Sequence, residues 1–177
     1  MATFVLNGTD VTVADDHPHL LVALRDELGV ISPKDGCAPS GQCGCCTVLV
    51  DGKARVACQT PLDKVEGRPV TTLEGFDPAE VERYAATFAA CGALQCGFCT
   101  PGIVVRAKAL IDKKGAELTR DDAARHLGAH LCRCTGYVKI LDAVEALALD
   151  EVPMAAPAGG IGSRDVKYEG PELAVGR

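Results

Sequence analysis

Eight of the ten cysteines in this 177-residue chain fall into two compact groups. The first group, in the N-terminal third of the chain, consists of Cys37, Cys43, Cys46 and Cys58. The second group, further along, consists of Cys96, Cys99, Cys132 and Cys134. Four closely spaced thiolates are the ligand set that holds a cluster of two iron and two sulfide ions. The spacing therefore predicts two metal centres, one for each group.

Composition limits what else the chain can be. Hydrophobic residues make up 47% of it but aromatic residues only 4%, so its core must be built from aliphatic side chains. Small domains of that kind benefit from bound metal. The net charge of −6 and the scattered Lys and Arg argue against a nucleic-acid partner. No apolar run approaches the roughly 20 residues that span a bilayer, and no leader pattern opens the chain, so we expect a cytoplasmic protein.

Two other uses of cysteine compete with iron–sulfur clusters. A disulfide scaffold is disfavoured, because neighbours such as Cys45 and Cys46 are poorly placed to bridge separate backbone segments. Structural zinc is the stronger rival, since two close cysteine pairs can complete a tetrahedral sulfur site. The residues alone leave a zinc-binding interaction module open as an alternative.

Residues 1–76 predict a small β-rich domain. Asn-Gly at 7–8 and Asp-Gly at 51–52 each signal a hairpin of short strands, and a helix is predicted between them over 19–28. The loop over 35–44, which leads into the second hairpin, is rich in glycine and carries Cys37 and Cys43, and Cys46 begins the strand that follows. Glycine there lets backbone N–H groups approach cluster sulfurs. We therefore expect a sheet curled over one helix, with the metal loop beside it.

Residues 77–150 predict a helical domain. A capping residue followed by proline at 77–78 and again at 100–101 marks two helix starts. A capping box at 119–122 begins a third helix, and an apolar face predicts a fourth over 137–149. Four helices with short loops describe a four-helix bundle, and the second cysteine group lies in its loops.

The final residues, 151–177, show no periodicity and open with a linker-like stretch. We expect an extended C-terminal tail that lies on a partner. A glycine-rich run at 159–162 superficially resembles a phosphate-binding turn, but it lacks the full glycine pattern and a preceding strand. The run is therefore interpreted as part of the tail.

Some reactive side chains fall outside the two groups. Cys45 and Cys91 are expected to be small buried hydrophobes. His126 and His130 are one helical turn apart, a spacing that can bind a metal, but no acidic residue completes a metalloprotease motif. A solvated or partly packed helix face is therefore expected at both histidines.

The cysteine motifs resemble those of one family. The runs QCGFCTPG at 95–102 and LCRCTGY at 131–137, with the glycine-flanked first group, resemble the iron–sulfur (small) subunit of the molybdenum hydroxylases. That family includes xanthine dehydrogenase, aldehyde oxidoreductase and carbon monoxide dehydrogenase. The resemblance covers about residues 2–150. It implies an α+β chain, with a β-grasp plant-type ferredoxin domain over 1–76 and a four-helix-bundle [2Fe-2S] domain over 77–150.

The resemblance also implies a function. The chain would be the electron-transfer subunit of an oxidoreductase, without catalytic residues of its own. Single electrons would pass from a molybdenum–pterin centre on a large partner subunit, through the helical-domain cluster and then the ferredoxin cluster, towards FAD on another subunit. Gln95 and Cys134 would face the pterin, Gln95 by a side-chain hydrogen bond. The assembly would be a hetero-oligomer, for example a dimer of heterotrimers; a free ferredoxin serving several enzymes is the alternative.

One spacing departs from the family pattern. Five residues separate Cys37 from Cys43, where the family usually has four, and we expect the extra residue to enlarge the loop near Pro39. Cys45 thereby becomes a rival to Cys46 as the third ligand. Register favours Cys46, because a shift of one residue would turn every side chain of the following strand to the other face.

Overall fold

A computed structural model of the chain describes residues 1–151 and 165–176. A mixed sheet forms the first part of the chain and helices form most of the rest, which confirms the α+β class. The glycine-rich run at 159–162 lies outside the described residues. In the part of the chain that is described, no helix is long and apolar enough to cross a membrane.

Five short strands form one sheet in the order β2-β1-β5-β3-β4. Their bounds are β1 Ala2–Leu6, β2 Thr9–Val13, β3 Thr47–Val50, β4 Lys53–Val56 and β5 Pro69–Thr71. Both predicted hairpins are present, with Asn7 at φ 49° and Asp51 at φ 50°, as tight Asn-Gly and Asp-Gly turns require. β1 and β5 run parallel, and the other neighbouring strands are antiparallel.

The α-helices of the described residues are α1 Leu20–Val22, α2 Pro78–Ala90, α3 Thr100–Lys114, α4 Arg120–Leu127, α5 Val138–Ala148 and α6 Gly170–Ala174. The helix predicted over 19–28 is present, but after α1 it continues as a π-helical stretch, Ala23–Glu27. Two of the three predicted caps hold helix starts, whereas Thr100 is the first residue of α3, whose N-cap residue is Cys99 and which has no side-chain cap. Asp77 accepts a hydrogen bond from the N–H of Ala79 at 2.9 Å, and the capping box at 119–122 is complete.

Strand β3 is buried on both faces and is shared by two apolar cores. On one face Val48 and Val50 pack in a core with Leu20 and Leu21 of α1. On the opposite face Leu49 packs in a second core built mainly from the helices, with α3 against the strand. Because successive strand residues point to opposite faces, one strand joins both parts of the chain.

Residues 165–176 fold back onto the chain. Helix α6 packs against α2, and the Lys34 side chain donates a hydrogen bond to the Gly176 carbonyl at 2.9 Å. Lys167 donates to the Gln95 carbonyl at 2.7 Å. At 170–174 the structure therefore has a helix where the sequence predicts an extended tail. The helix is too short to show periodicity, and its packing against α2 is a long-range contact that the local sequence does not reveal.

The two parts of the chain meet where backbone lies directly on backbone. Gly102, in the first turn of α3, faces Gly44 and Cys45. A Cβ atom added to Gly102 would lie 2.3 Å from the Gly44 carbonyl oxygen and 3.0 Å from the Cys45 Cα. Beside this contact the N–H of Leu131 donates to the Cys43 carbonyl at 2.9 Å. Both cysteine loops are thus held in one fixed arrangement.

We predict that Gly102→Ala destabilises the protein. In an open helix position alanine is favoured over glycine by about 1 kcal/mol. Here the added methyl group meets the Gly44 carbonyl oxygen well inside contact distance, and the backbone cannot rotate away. We expect the Tm, followed by circular dichroism, to fall by more than about 2–4 °C, the shift that about 1 kcal/mol produces in a chain of this size.

Gly128→Ala is the matched control. Gly128 also has helical backbone angles, and the nearest atom to its added Cβ would be the Arg125 carbonyl oxygen at 3.3 Å. Its Tm should change much less than that of Gly102→Ala. A Gly102→Ala protein as stable as the unmodified chain would show that the two loops are not in this contact.

Candidate metal centres

The first cysteine group forms two thiol pairs. The backbone N–H of Cys43 donates to the Cys37 Sγ at 3.2 Å, and the N–H of Cys58 donates to the Cys46 Sγ at 3.5 Å. The two pairs are close enough for Cys43 to influence the pKa of Cys46 electrostatically. All four thiols that the sequence assigns to the first centre are therefore brought together.

The pairs of the first centre differ in their surroundings. Cys37 and Cys43 contact the helical core, whereas Cys46 and Cys58 belong to the core beneath the sheet. Burial would raise the pKa of Cys37, but hydrogen bonds from the Ser40 hydroxyl and from Cys43 outweigh it and lower the pKa to about 7. Burial raises the pKa of Cys46 to about 12. A thiolate at Cys46 consequently needs a bound cation beside it.

The second group also forms two pairs. Sγ of Cys134 lies 3.6 Å from Sγ of Cys96, and Cys132 is close enough to Cys99 to influence the pKa of its thiol. The Cys96 pair lies at the surface, while Cys99 is buried, and that burial raises the pKa of Cys99 to about 12. Thr135 donates its hydroxyl proton to the Cys132 Sγ at 3.1 Å. The second centre thus has an outer and an inner pair.

Tyr137 holds the loop that carries Cys132 and Cys134. Its backbone is left-handed, with φ 70°, which turns the chain sharply into α5. Its hydroxyl donates to the His130 carbonyl at 2.8 Å and accepts the Cys132 N–H at 2.9 Å. The Tyr137 side chain therefore ties the start of α5 to the backbone at His130 and Cys132.

The paired arrangement fits a two-iron cluster better than a single ion. In a [2Fe-2S] cluster each iron takes two thiolates and shares the bridging sulfides, so four ligands come as two pairs. A structural zinc ion needs all four ligands around one point.

Cys45 lies on the side of its loop that faces the second centre. It is 3% exposed and belongs to the helical core with Cys43 and Cys99, apart from Cys46 and Cys58. Its thiol donates a weak hydrogen bond to the Cys43 carbonyl at 3.6 Å, and burial raises its pKa. Cys45 thus packs between the two centres.

His130 is a contact residue that the sequence did not reveal. Its ring is buried, lies 3.2 Å from the Thr47 hydroxyl through Nε2, and covers Gly44 so closely that a Cβ there would be 2.5 Å from the ring. Because Thr47 donates its own proton to the Gly44 carbonyl at 2.6 Å, it accepts from Nε2–H. Burial, together with the positive charge of Arg106, lowers the pKa of His130 to about 4, so the ring is neutral near pH 7.

The expected solvated or partly packed helix face is therefore right for His126, which is exposed, and wrong for His130. Helix α4 ends at Leu127, so the helical spacing of the two histidines does not apply. Gly128, directly after the helix, is the signal that could have shown this.

Gln95 and Cys134, which the resemblance places at a pterin, touch one another. The Gln95 amide donates to the Cys134 carbonyl at 2.9 Å, and Gln95 is exposed. The two residues therefore form one surface feature beside the outer pair of the second centre.

Comparison with known proteins agrees with two metal-binding units. A family described as "2Fe-2S iron-sulfur cluster binding domain" matches residues 4–71, and one described as "[2Fe-2S] binding domain" matches 72–145. The nicotinate dehydrogenase small FeS subunit of Eubacterium barkeri is 38% identical over 133 residues, covering 75% of this chain and 83% of the relative. The xanthine dehydrogenase iron-sulfur-binding subunit of Escherichia coli O157:H7 is 41% identical over 126 residues, covering 70% and 79%.

Solved structures agree with the fold. The aldehyde oxidoreductase of Desulfovibrio desulfuricans superposes with a TM-score of 0.87 at 36% identity, covering 99% of this chain and 21% of that one. Quinoline 2-oxidoreductase of Pseudomonas putida superposes with a TM-score of 0.75 at 34% identity, and the match covers 85% of this chain and 93% of that one. The chain thus spans about a fifth of the aldehyde oxidoreductase. It belongs to the iron–sulfur subunits of the molybdenum hydroxylases, which carry two [2Fe-2S]-binding domains.

Proposed function

We propose that this chain is an electron-transfer subunit that holds a [2Fe-2S] cluster at each cysteine group. The observation that carries the proposal is the arrangement of eight thiols as four pairs, two pairs to a group. The first cluster would be held by Cys37, Cys43, Cys46 and Cys58. The second would be held by Cys96, Cys99, Cys132 and Cys134. Bound clusters of this type supply reversible one-electron chemistry.

The domain division supports this assignment. We assign a β-grasp plant-type ferredoxin domain to 1–76, a four-helix-bundle domain to 77–150 and a C-terminal segment to 151–177. The sheet packed on α1 and the four helices from α2 to α5 support the two domains, and the families that match the chain meet at 71–72.

This chain's own contribution is to place and tune the two centres. A four-thiolate cluster gains negative charge on reduction, so hydrogen bonds to its sulfurs favour the reduced state. The Cys43 N–H and the Thr135 hydroxyl are donors already aimed at cysteine sulfurs. Arg133 adds a positive charge next to two ligands of the second centre. Cys43, Cys45 and Cys99 are buried together in the helical core.

We further propose the direction of electron flow. Electrons enter at the Cys96–Cys134 pair, of which Cys96 is exposed, beside Gln95, from a molybdenum–pterin group on a large partner subunit. They leave from the ferredoxin domain towards FAD or another acceptor on a further subunit of a hetero-oligomer, such as a dimer of heterotrimers. In support, the inner pair, Cys99–Cys132, packs against the same helical core as Cys43, so the two centres face one another. A cytoplasmic location stays a prediction of the sequence.

Cys134→Ser tests this direction in the complex purified with its partner subunits. We expect that the flavin stays oxidised when substrate is added, because the entry centre is impaired. Dithionite should still reduce the flavin. Molybdenum and flavin contents confirm that the complex has assembled, and Cys91→Ser, a thiol outside both groups, is the matched control. A Cys134→Ser complex whose flavin is reduced by substrate at the normal rate would refute entry at the second centre.

Alanine variants of neighbouring thiols test the ligand assignment of the first centre. Cys46 packs with Cys58 and Cys45 does not, so Cys45→Ala should keep about four irons per chain and Cys46→Ala about two. Iron analysis and the electron paramagnetic resonance signal of the first cluster measure both. If the Cys46→Ala protein kept the iron and the signal of the first cluster and the Cys45→Ala protein lost them, Cys45 and not Cys46 would be the third ligand.

A further inference from the structure

Most of the positive charge of the first domain is collected in one place. Residues 1–76 contain six Lys and Arg against ten Asp and Glu, a net charge of 6 − 10 = −4. Four of those six cations line a single shallow pocket of about 330 Å³. They are Lys53, Arg55, Lys64 and Arg68, and we call them the basic pocket. Asp51 is the one carboxylate among the lining residues, so the pocket has a net positive charge on an otherwise acidic domain.

The register of the second hairpin explains why two of these cations are exposed. Lys53 lies opposite Val50 and Arg55 opposite Val48, so all four side chains share one face of the sheet. On β3 that face is covered by the core around α1, and both valines are buried. β4 is the edge strand of the sheet, and the side chains of Lys53 and Arg55 are exposed there, outside the core around α1. The sheet edge therefore presents charge to whatever approaches it.

The chain itself pairs only two of the four cations in its described residues. Across residues 1–151 and 165–176, no ion pair holds Lys53 or Arg55. Arg68 pairs with Asp51 at 3.0 Å, and Lys64 reaches its neighbour Asp63 at 3.4 Å. Both of these pairs are open to water, and their carboxylates offset the charge of these two cations, so Lys53 and Arg55 carry the uncompensated charge. The basic pocket thus keeps a positive surface potential that an approaching acidic group would feel.

The basic pocket adjoins the first metal centre. Gln59, which lines the pocket, directly follows the ligand candidate Cys58. Its side-chain amide donates a hydrogen bond to the Pro39 carbonyl in the loop between Cys37 and Cys43. Gln59 therefore lines the pocket and also contacts the metal loop. A partner bound at the pocket would lie beside the first centre.

We propose that the basic pocket is the docking surface for an acidic face of the protein that accepts electrons from the first centre. This inference rests on the proposed function. A chain with a net charge of −6 repels acidic proteins at long range, so productive docking needs a local positive surface next to the exit centre. Complementary charge steers such encounters and raises association rates by roughly 10 to 1,000 fold at low salt.

The test uses the full chain with both clusters, reduced with dithionite and mixed with oxidised cytochrome b5, an acidic haem protein. We expect the second-order rate constant to fall as salt is added. We expect the double variant Lys53→Glu/Arg55→Glu to lower it by about tenfold or more at low salt. With basic cytochrome c as acceptor, the same variant should be no slower than the unmodified chain.

The matched control is Lys113→Glu/Lys139→Glu, which changes the net charge equally at exposed positions of the helical domain. If both double variants lowered the rate constant with cytochrome b5 equally, only net charge would matter. If Lys53→Glu/Arg55→Glu did not lower it, the pocket would not be used. Either result overturns the proposal. Lys53→Gln/Arg55→Gln replaces the first variant if the reversal disturbs folding. Cluster absorption and reduction by dithionite are measured for every protein. An unmodified chain without cluster absorption, or one that dithionite does not reduce, would refute the proposed function and not the docking surface.

Discussion

The contact of Gly44 and Cys45 with the start of α3 is the constraint on which the arrangement of both metal centres depends. Gly102 leaves room there for the Gly44 carbonyl, and the neutral ring of His130 closes the other side. Both cysteine loops take part, since Leu131 donates to the Cys43 carbonyl. Backbone packed this tightly transmits displacement rather than absorbing it. The separation of the two centres is therefore a property of the fold and not of a flexible linker.

Metal binding and folding are coupled in such an arrangement. Burial raises the pKa of Cys46 and of Cys99 to about 12, so these thiols stay protonated near pH 7 unless a cation replaces the proton. Metal ligation by these thiols would release those protons and would join segments that are distant along the chain, such as the loop before α3 and the loop after α4. Few aromatic residues are available to enlarge the cores. We therefore regard the clusters as part of the stabilisation of the fold as well as of its chemistry.

Local sequence signals predicted much of the fold. The Asn-Gly and Asp-Gly turns, the proline-marked helix starts and the capping box each rest on residues close together in the chain, and each is present. Features that depend on distant partners were not predictable in this way. Strand β5 is three residues long and is recognised by its pairing with β1 and β3. His130 and α6 are likewise defined by their contacts with Gly44 and α2.

The central claim is that two clusters, held by thiol pairs, lie on either side of one rigid contact. Quantitative electron paramagnetic resonance of the fully reduced chain, combined with iron and sulfide analysis, tests it most directly. We expect about four irons and four sulfides per chain and two distinct signals of one spin each. Those signals should broaden each other when both clusters are reduced, because the centres are close. About two irons per chain, or a single signal at full reduction, would contradict it.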